Sequence, residues 1–195
     1  MILTFLRHGK TAGNLTQRYI GVTDEPLCPE GRAELLQREP LTAPSALYAS
    51  PMRRCVETAA ILFPGVEPRF VPDFRECDFG DFEGKNYAEL NGSPAYQRFI
   101  DTMGMEIPNG EPGDAFRKRC CRGFLEVVTE LDKSSVPDAV IVCHGGTIMA
   151  VMERFERLRM GFYGYQVKNG HLLPRLPARF SGCRCCRNCS RMSCR

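Results

Sequence analysis

Two short apolar runs constrain this chain more than any other feature. Ile2-Leu3-Thr4-Phe5-Leu6 exits into Arg7-His8-Gly9, and far downstream Ala139-Val140-Ile141-Val142-Cys143 exits into His144-Gly145-Gly146. Short apolar runs bounded by glycine read as strands buried on both faces, the kind that parallel sheets use. In open α/β sheets, ligands bind beyond the carboxyl ends of the strands. If the two runs are parallel neighbours, His8 and His144 share one pocket. The chain has only 3 histidines, so most of its imidazole is placed at strand exits.

The rest of the chain alternates strand and helix. Helices are expected over 30–38 (stopped by Pro40), about 52–63, 86–102, 112–132 and 146–157. Strands are expected at Ala46–Ala49 and at Arg69-Phe70-Val71, which Pro72 ends, and residues 73–85 read as an acidic, Gly-punctuated loop. The pattern predicts an α/β fold: a three-layer α/β/α sandwich with a mostly parallel central sheet. No internal repeat or flexible linker is seen, so residues 1–173 read as one domain. Tyr163 to Lys168 reads as a late strand and Asn169-Gly170 as a hairpin turn. The return strand, His171-Leu172-Leu173, is expected to fail at Pro174 and Pro177 or to be confined to an edge, because proline cannot donate to a ladder.

Composition matters most at the end of the chain. A hydrophobic fraction of 43% suits a soluble globule, and no apolar stretch approaches the roughly 20 residues of a membrane span. The N-terminus has no basic n-region, so no signal peptide is expected. Of 11 cysteines, five (Cys183, Cys185, Cys186, Cys189, Cys194) crowd the last thirteen residues, and the others are scattered as reduced cytosolic cysteines usually are. A cytoplasmic protein is the expectation. Residues 1–170 hold 20 basic and 23 acidic side chains; six arginines after residue 170 turn the total to +3. That mildly acidic body argues against nucleic acid as a partner. Cys186 and Cys189 have a spacing that can bind zinc, yet a structural site takes two well-separated ligand pairs. Residues 174–195 therefore read as a Cys/Arg-rich irregular or disordered tail, or an aberrant one such as a shifted reading frame produces.

Four strand exits carry chemistry-bearing residues. They are Arg7-His8-Gly9-Lys10-Thr11 with Asn14 close behind, Ser50-Pro51-Met52-Arg53-Arg54, the acidic stretch from Arg75 to Gly84, and His144-Gly145-Gly146-Thr147. Two imidazoles, at least two guanidiniums and a carboxyl group suit phosphoryl transfer, which is mostly positioning and charge neutralisation. Arginine's planar fork matches phosphate oxygens. A neutral histidine can act as nucleophile near neutral pH, and a carboxyl group can protonate the leaving oxygen and later activate water. No metal and no cofactor is needed. The helix opening at Gly145-Gly146-Thr147 is expected to add backbone donors for an anion.

These blocks resemble the histidine phosphatase superfamily, the phosphoglycerate-mutase-like fold, over about residues 1–170. The likeness rests on the RHG opening with Thr11 and Asn14, the Arg18-to-Leu27 stretch and Gly31. It continues through the SPxxRxxxTA block, the E-x-x-FG-x-F-EG block that begins at Glu76, and the late HGG. The resemblance implies that His8 forms a covalent phosphohistidine and that Arg7, Arg54 and His144 surround the phosphoryl group. It implies Glu76 as the proton donor, with Asn14 among the substrate-binding residues. Asp78 is the competing acid, Lys10 stands where relatives carry an acidic residue or glutamine, and Glu111 is either part of a P-x-G-E-like loop or a first-turn helix residue. The aromatic-acid-Gly wording after Phe79-Gly80 is similar to small phosphatases, including α-ribazole-5′-phosphate phosphatases, more than to the longer mutases. The expected partner is a small phosphorylated metabolite. A mutase-type phosphotransferase, a non-catalytic binding protein of the same fold, and a zinc- or nucleic-acid-binding protein working through the tail are the other readings.

Overall fold

Period-two alternation in the two founding strands separates two cores, and the whole architecture follows from it. The computed structural model describes residues 1–39, 41–156 and 160–177. Its elements run β1 (Ile2–Arg7), α1 (Ala12–Leu15), α2 (Pro29–Leu36), β2 (Ala46–Ala49), α3 (Arg53–Leu62) and β3 (Arg69–Phe70). They continue with α4 (Tyr87–Leu90), α5 (Pro94–Asp101), α6 (Gly113–Lys133), β4 (Asp138–Cys143), α7 (Gly145–Phe155) and β5 (Leu172–Pro177). Leu3, Phe5, Ala139, Ile141 and Cys143 join one core with Phe124 of α6 and Ile148 of α7. Leu6 and Val142 enter the other core, with Leu35 of α2 and Ala59 of α3. The expected three-layer α/β/α sandwich is what results.

The sheet order is β3-β2-β4-β1-β5. The first four strands are parallel and β5 is antiparallel to β1. In the β1–β4 register Arg7 stands opposite Cys143, so the next residue on each chain is a histidine. The ladder continues one step further, the His8 amide donating to the Cys143 carbonyl at 3.0 Å. Two sequence-distant histidines are thereby placed side by side.

Helix α6 carries much of the first core, with Phe116, Cys120, Phe124, Val127 and Leu131 buried at helical spacing. Phe124 is 0% exposed, stacked on Phe5 at a centroid distance of 5.7 Å and 5.1 Å from Phe155. Phe124→Ala is expected to cost about 3–5 kcal/mol, by lost burial and the cavity left behind. Urea titration checks this; a loss below about 1 kcal/mol would mean that the layer repacks freely.

Three sequence expectations need correction. The helix expected over 86–102 is two helices, because Gly92 takes φ +84° and Pro94 opens the second. Tyr163 to Lys168 is not a strand. Phe162–Tyr165 forms a 3₁₀ turn that buries Phe162 and Tyr165, three residues apart, while Tyr163 and Gly164 face out. A three-residue period buries i and i+3, whereas a strand would bury alternate residues. Asn169-Gly170 does turn the chain, with Gly170 at φ +72°, but it joins no hairpin. Of the two outcomes expected for the return strand, failure at its prolines or confinement to an edge, the second is the one seen. It is an edge strand, and pairing shifts between Phe5↔Leu173 and Leu3↔Leu176, so Pro174 falls in the irregularity. Pro40 and the tail cysteines Cys183, Cys185, Cys186, Cys189 and Cys194 lie outside the described residues. The six described cysteines are free thiols. Among the described residues no helix is long and apolar enough to cross a membrane.

Candidate active site

Above the carboxyl ends of β1 and β4 the structure opens a cavity of about 780 Å³, with His8 and Arg7 on its floor. The His8 imidazole is 4% exposed, and its Nδ1 lies 2.6 Å from the Gly9 carbonyl oxygen. A carbonyl can only accept, so Nδ1 carries the proton and Nε2 keeps its lone pair. Gly9 is itself held, its amide donating to Thr58 Oγ1 at 2.9 Å. Burial pushes the His8 pKa well below the ordinary histidine value, and Arg54 and Arg7 push it further against the Gly9 bond. His8 is therefore a neutral imidazole with one free nitrogen.

His144 lies beside it, the rings meeting edge to face at 5.1 Å. Arg54 Nε donates to His144 Nδ1 at 3.2 Å, so the His144 proton sits on Nε2, 2.8 Å from Ser50 Oγ. Arg54 is 1% exposed and also donates to the carbonyls of Thr23 and Gly21, at 2.9 Å each. The structure thus brings Arg54 and His144 together in a layer behind His8, while Arg7 faces the open cavity. Arg7 Nη1 donates to the Val167 carbonyl at 2.7 Å, and its buried Nε has no hydrogen-bond partner among the described residues. Burial lowers the Arg7 pKa and the nearby Glu76 carboxylate opposes that shift.

Both imidazoles are depressed mainly by burial, with Arg54 the next cause in each. In the unfolded chain they titrate near about 6.5. Below that pH the unfolded state binds more protons, so stability is full above about pH 6.5. It is lost as pH falls through the window down to the folded values. Each imidazole that stays neutral when folded contributes about 1.4 kcal/mol of loss per pH unit in that window. Urea midpoints from pH 7 to 5 should fall, and fall less steeply in His8→Asn. An unchanged slope in that variant would mean that His8 is not depressed.

Glu76 lines the cavity from the loop after β3. Its Oε1 accepts from the Cys77 amide at 3.0 Å and its Oε2 from the Gly146 amide at 3.1 Å. A Cβ at position 146 would stand 2.3 Å from Glu76 Oε1, so only glycine allows this approach. The expected donor at Gly146 is therefore spent on the carboxyl group. Asp78 is not part of the cavity lining; its Oδ1 accepts from the Gly80 amide at 2.9 Å and shapes its own loop. Asn14 reaches the cavity with its Oδ1 taken by the Thr11 amide (3.1 Å) and by Asn169 Nδ2 (3.0 Å), which leaves its own Nδ2 to donate. Lys10 sits at the rim, 2.5 Å from Glu34 Oε1. Glu111 precedes α6 and pairs with Arg119.

Asn169 was legible only as a turn residue. It also donates to the His8 carbonyl at 3.2 Å, and the Gly170 amide bridges the Arg7 and His8 carbonyls at 2.9 Å. This contact joins residues 161 positions apart, and no local spacing announces it. The cavity is also lined by Tyr19, Phe79, Phe99, Met103, Phe116 and Phe162, with the charged side chains of Arg18, Arg117 and Lys168 among them.

Residues 3–173 match the family model of the histidine phosphatase superfamily, branch 1. The chain is 29% identical over 166 residues to the adenosylcobalamin/alpha-ribazole phosphatase of Salmonella typhimurium, covering 79% of each. It is 25% identical over 190 residues to a 2,3-bisphosphoglycerate-dependent phosphoglycerate mutase of Bifidobacterium longum, covering 80% of this chain and 77% of the mutase. The alpha-ribazole phosphatase of Shigella flexneri superposes with a TM-score of 0.75 at 24% identity, over 88% of both chains. With its fold, its paired strand-exit histidines and this match along most of its length, the chain belongs to the histidine phosphatase superfamily, branch 1.

Proposed function

We propose that the protein is a phosphomonoester hydrolase working through a phosphohistidine on His8. The observation that carries this reading is the neutral, buried His8 with Nε2 free on the cavity floor, beside Arg7 and within the same cavity as Glu76. His8 Nε2 attacks phosphorus, the N–P bond forms and the bond to the ester oxygen breaks. The Nδ1–H bond to the Gly9 carbonyl steadies the charge that develops on the ring. Arg7 and the Asn14 amide meet the phosphoryl oxygens from the cavity, and Arg54, held against His144 behind them, adds fixed positive charge. Glu76 gives its proton to the departing oxygen. In the second half a water attacks phosphorus, Glu76 takes the water's proton, the N–P bond breaks and His8 returns neutral. No step calls for a metal.

The leaving group is received by a lining that mixes aromatic and cationic side chains. Phe79, Phe99, Met103, Phe116 and Phe162 offer dispersion and stacking to a flat or apolar group, while Arg18, Arg117 and Lys168 in the same lining supply cationic donors. The wording of the block from Glu76 to Gly84 and the likeness to an adenosylcobalamin/alpha-ribazole phosphatase support a phosphatase acting on a small phosphorylated metabolite, α-ribazole 5′-phosphate among the candidates, over a mutase-type phosphotransferase. With both histidines, both arginines and the carboxyl group assembled, a non-catalytic binding role is also disfavoured.

The test is phosphate release from a panel of phosphomonoesters without added metal, including α-ribazole 5′-phosphate and 3-phosphoglycerate. Hydrolysis should be fastest for esters with an apolar or aromatic group. Interconversion of phosphoglycerates without phosphate release would establish the mutase reading instead.

A further inference from the structure

Arg119 lies on α6 outside the cavity lining, and all five of its N–H groups are engaged. Its Nε and Nη2 donate to the two carboxylate oxygens of Glu111, at 2.7 Å each. Nη1 donates to the carbonyls of Asp73 (2.8 Å) and Arg75 (2.7 Å), and Nη2 also donates to the carbonyl of Glu76 (2.9 Å). From the other side the Glu111 amide donates to the Asp78 carbonyl at 2.9 Å. The pair therefore grips the loop at 73, 75, 76 and 78, on both flanks of the carboxyl-bearing residue. Both side chains are only 19% exposed, so the ion pair is shielded from solvent.

The anchor itself is closely packed. Cys120, the next residue on α6, is 0% exposed, and the Arg119 guanidinium lies 5.0 Å from the ring centroid of Phe116, a cavity-wall residue. By contrast the gripped segment is irregular apart from the 3₁₀ turn Pro72–Phe74. Without the guanidinium the carbonyls of Asp73, Arg75 and Glu76 lose their donor from α6, while Arg122 of the same helix would still hold the Asp73 carboxylate at the start of the segment.

We propose that Arg119, together with Glu111, is a positioning pair that fixes the Glu76 carboxyl for proton transfer to the leaving oxygen; this rests on the reading of Glu76 as the acid. A lysine at 119 cannot replace it, because one ammonium cannot serve a bidentate carboxylate and three carbonyls together. Catalytic groups misplaced by about 1 Å lose on the order of 10²-fold in rate, and only where the displaced group acts. The defect should therefore follow the leaving group.

The experiment compares kcat/KM for β-glycerophosphate, a poor leaving group, with kcat/KM for p-nitrophenyl phosphate, which needs no acid. Arg119→Lys should lose about 10- to 100-fold on the first ester and less than about 3-fold on the second. Introduced into Glu76→Gln, it should add no further loss on β-glycerophosphate, since residues acting as a unit are not additive. Glu111→Gln serves as the second variant if Arg119→Lys is unstable, with the same pattern expected. Equal losses on both esters, or additive losses in the double variant, overturn the positioning role even if Glu76→Gln alone keeps its leaving-group bias. A Glu76→Gln enzyme without that bias overturns the acid assignment and the role of the pair with it.

Discussion

His8→Ala is expected to abolish turnover, with a loss of about 10⁴-fold or more, as removal of a nucleophile from a cooperating set does. The reason is chemical rather than architectural. Arg7 and Asn14 still line the cavity, with the Arg54 charge behind them, and they can bind a phosphate without offering it an attacking atom. Binding of inorganic phosphate should therefore persist in the variant while hydrolysis disappears. Steady-state kinetics beside a phosphate titration check both halves. Residual hydrolysis within about 10-fold of wild type would mean that water attacks phosphorus directly and that His8 only contributes to binding.

Glu76→Gln has the next largest expected effect. It keeps the shape and can still accept at its one carbonyl oxygen, but it cannot transfer a proton. The loss in kcat/KM should be about 10²- to 10⁴-fold for an alkyl phosphate and far smaller for p-nitrophenyl phosphate. kcat/KM is the right quantity, because phosphoenzyme hydrolysis is common to all esters and follows the step being compared. Asp78→Asn should leave the leaving-group dependence unchanged, since Asp78 is bound up in its own turn at the Gly80 amide and is absent from the cavity lining. An Asp78→Asn enzyme with the bias expected of Glu76→Gln would exchange the two assignments.

Much of this organisation is legible in the residues, for identifiable reasons. Apolar runs buried on both faces are continuous in sequence, so β1 and β4 announce themselves, and with them the meeting of His8 and His144. Helix α3 and strand β2 are similarly local in their signals. What is not legible depends on partners far away in the chain. The aromatic stretch Phe162–Tyr165 has the composition of a strand, and only the core it packs against selects the three-residue period. Strand β5 tolerates proline because β1 is its only described neighbour, on one side, with a shift in register where Pro174 falls. Asn169 orients Asn14 across 155 positions, and Arg119 grips a loop more than 40 residues before it. Such contacts leave no periodic trace. Their residues read as an ordinary turn and an ordinary charged helix face until the chain is folded.

The most direct measurement is the phosphoenzyme itself. Wild-type protein mixed with a ³²P-labelled phosphomonoester and quenched in alkaline denaturant within milliseconds should carry label that is stable to base and released by acid. Peptide mapping should place that label on His8. Labelling that is unaltered in His8→Ala, or that maps to a residue other than His8, would contradict the assignment of His8 Nε2 as the attacking atom.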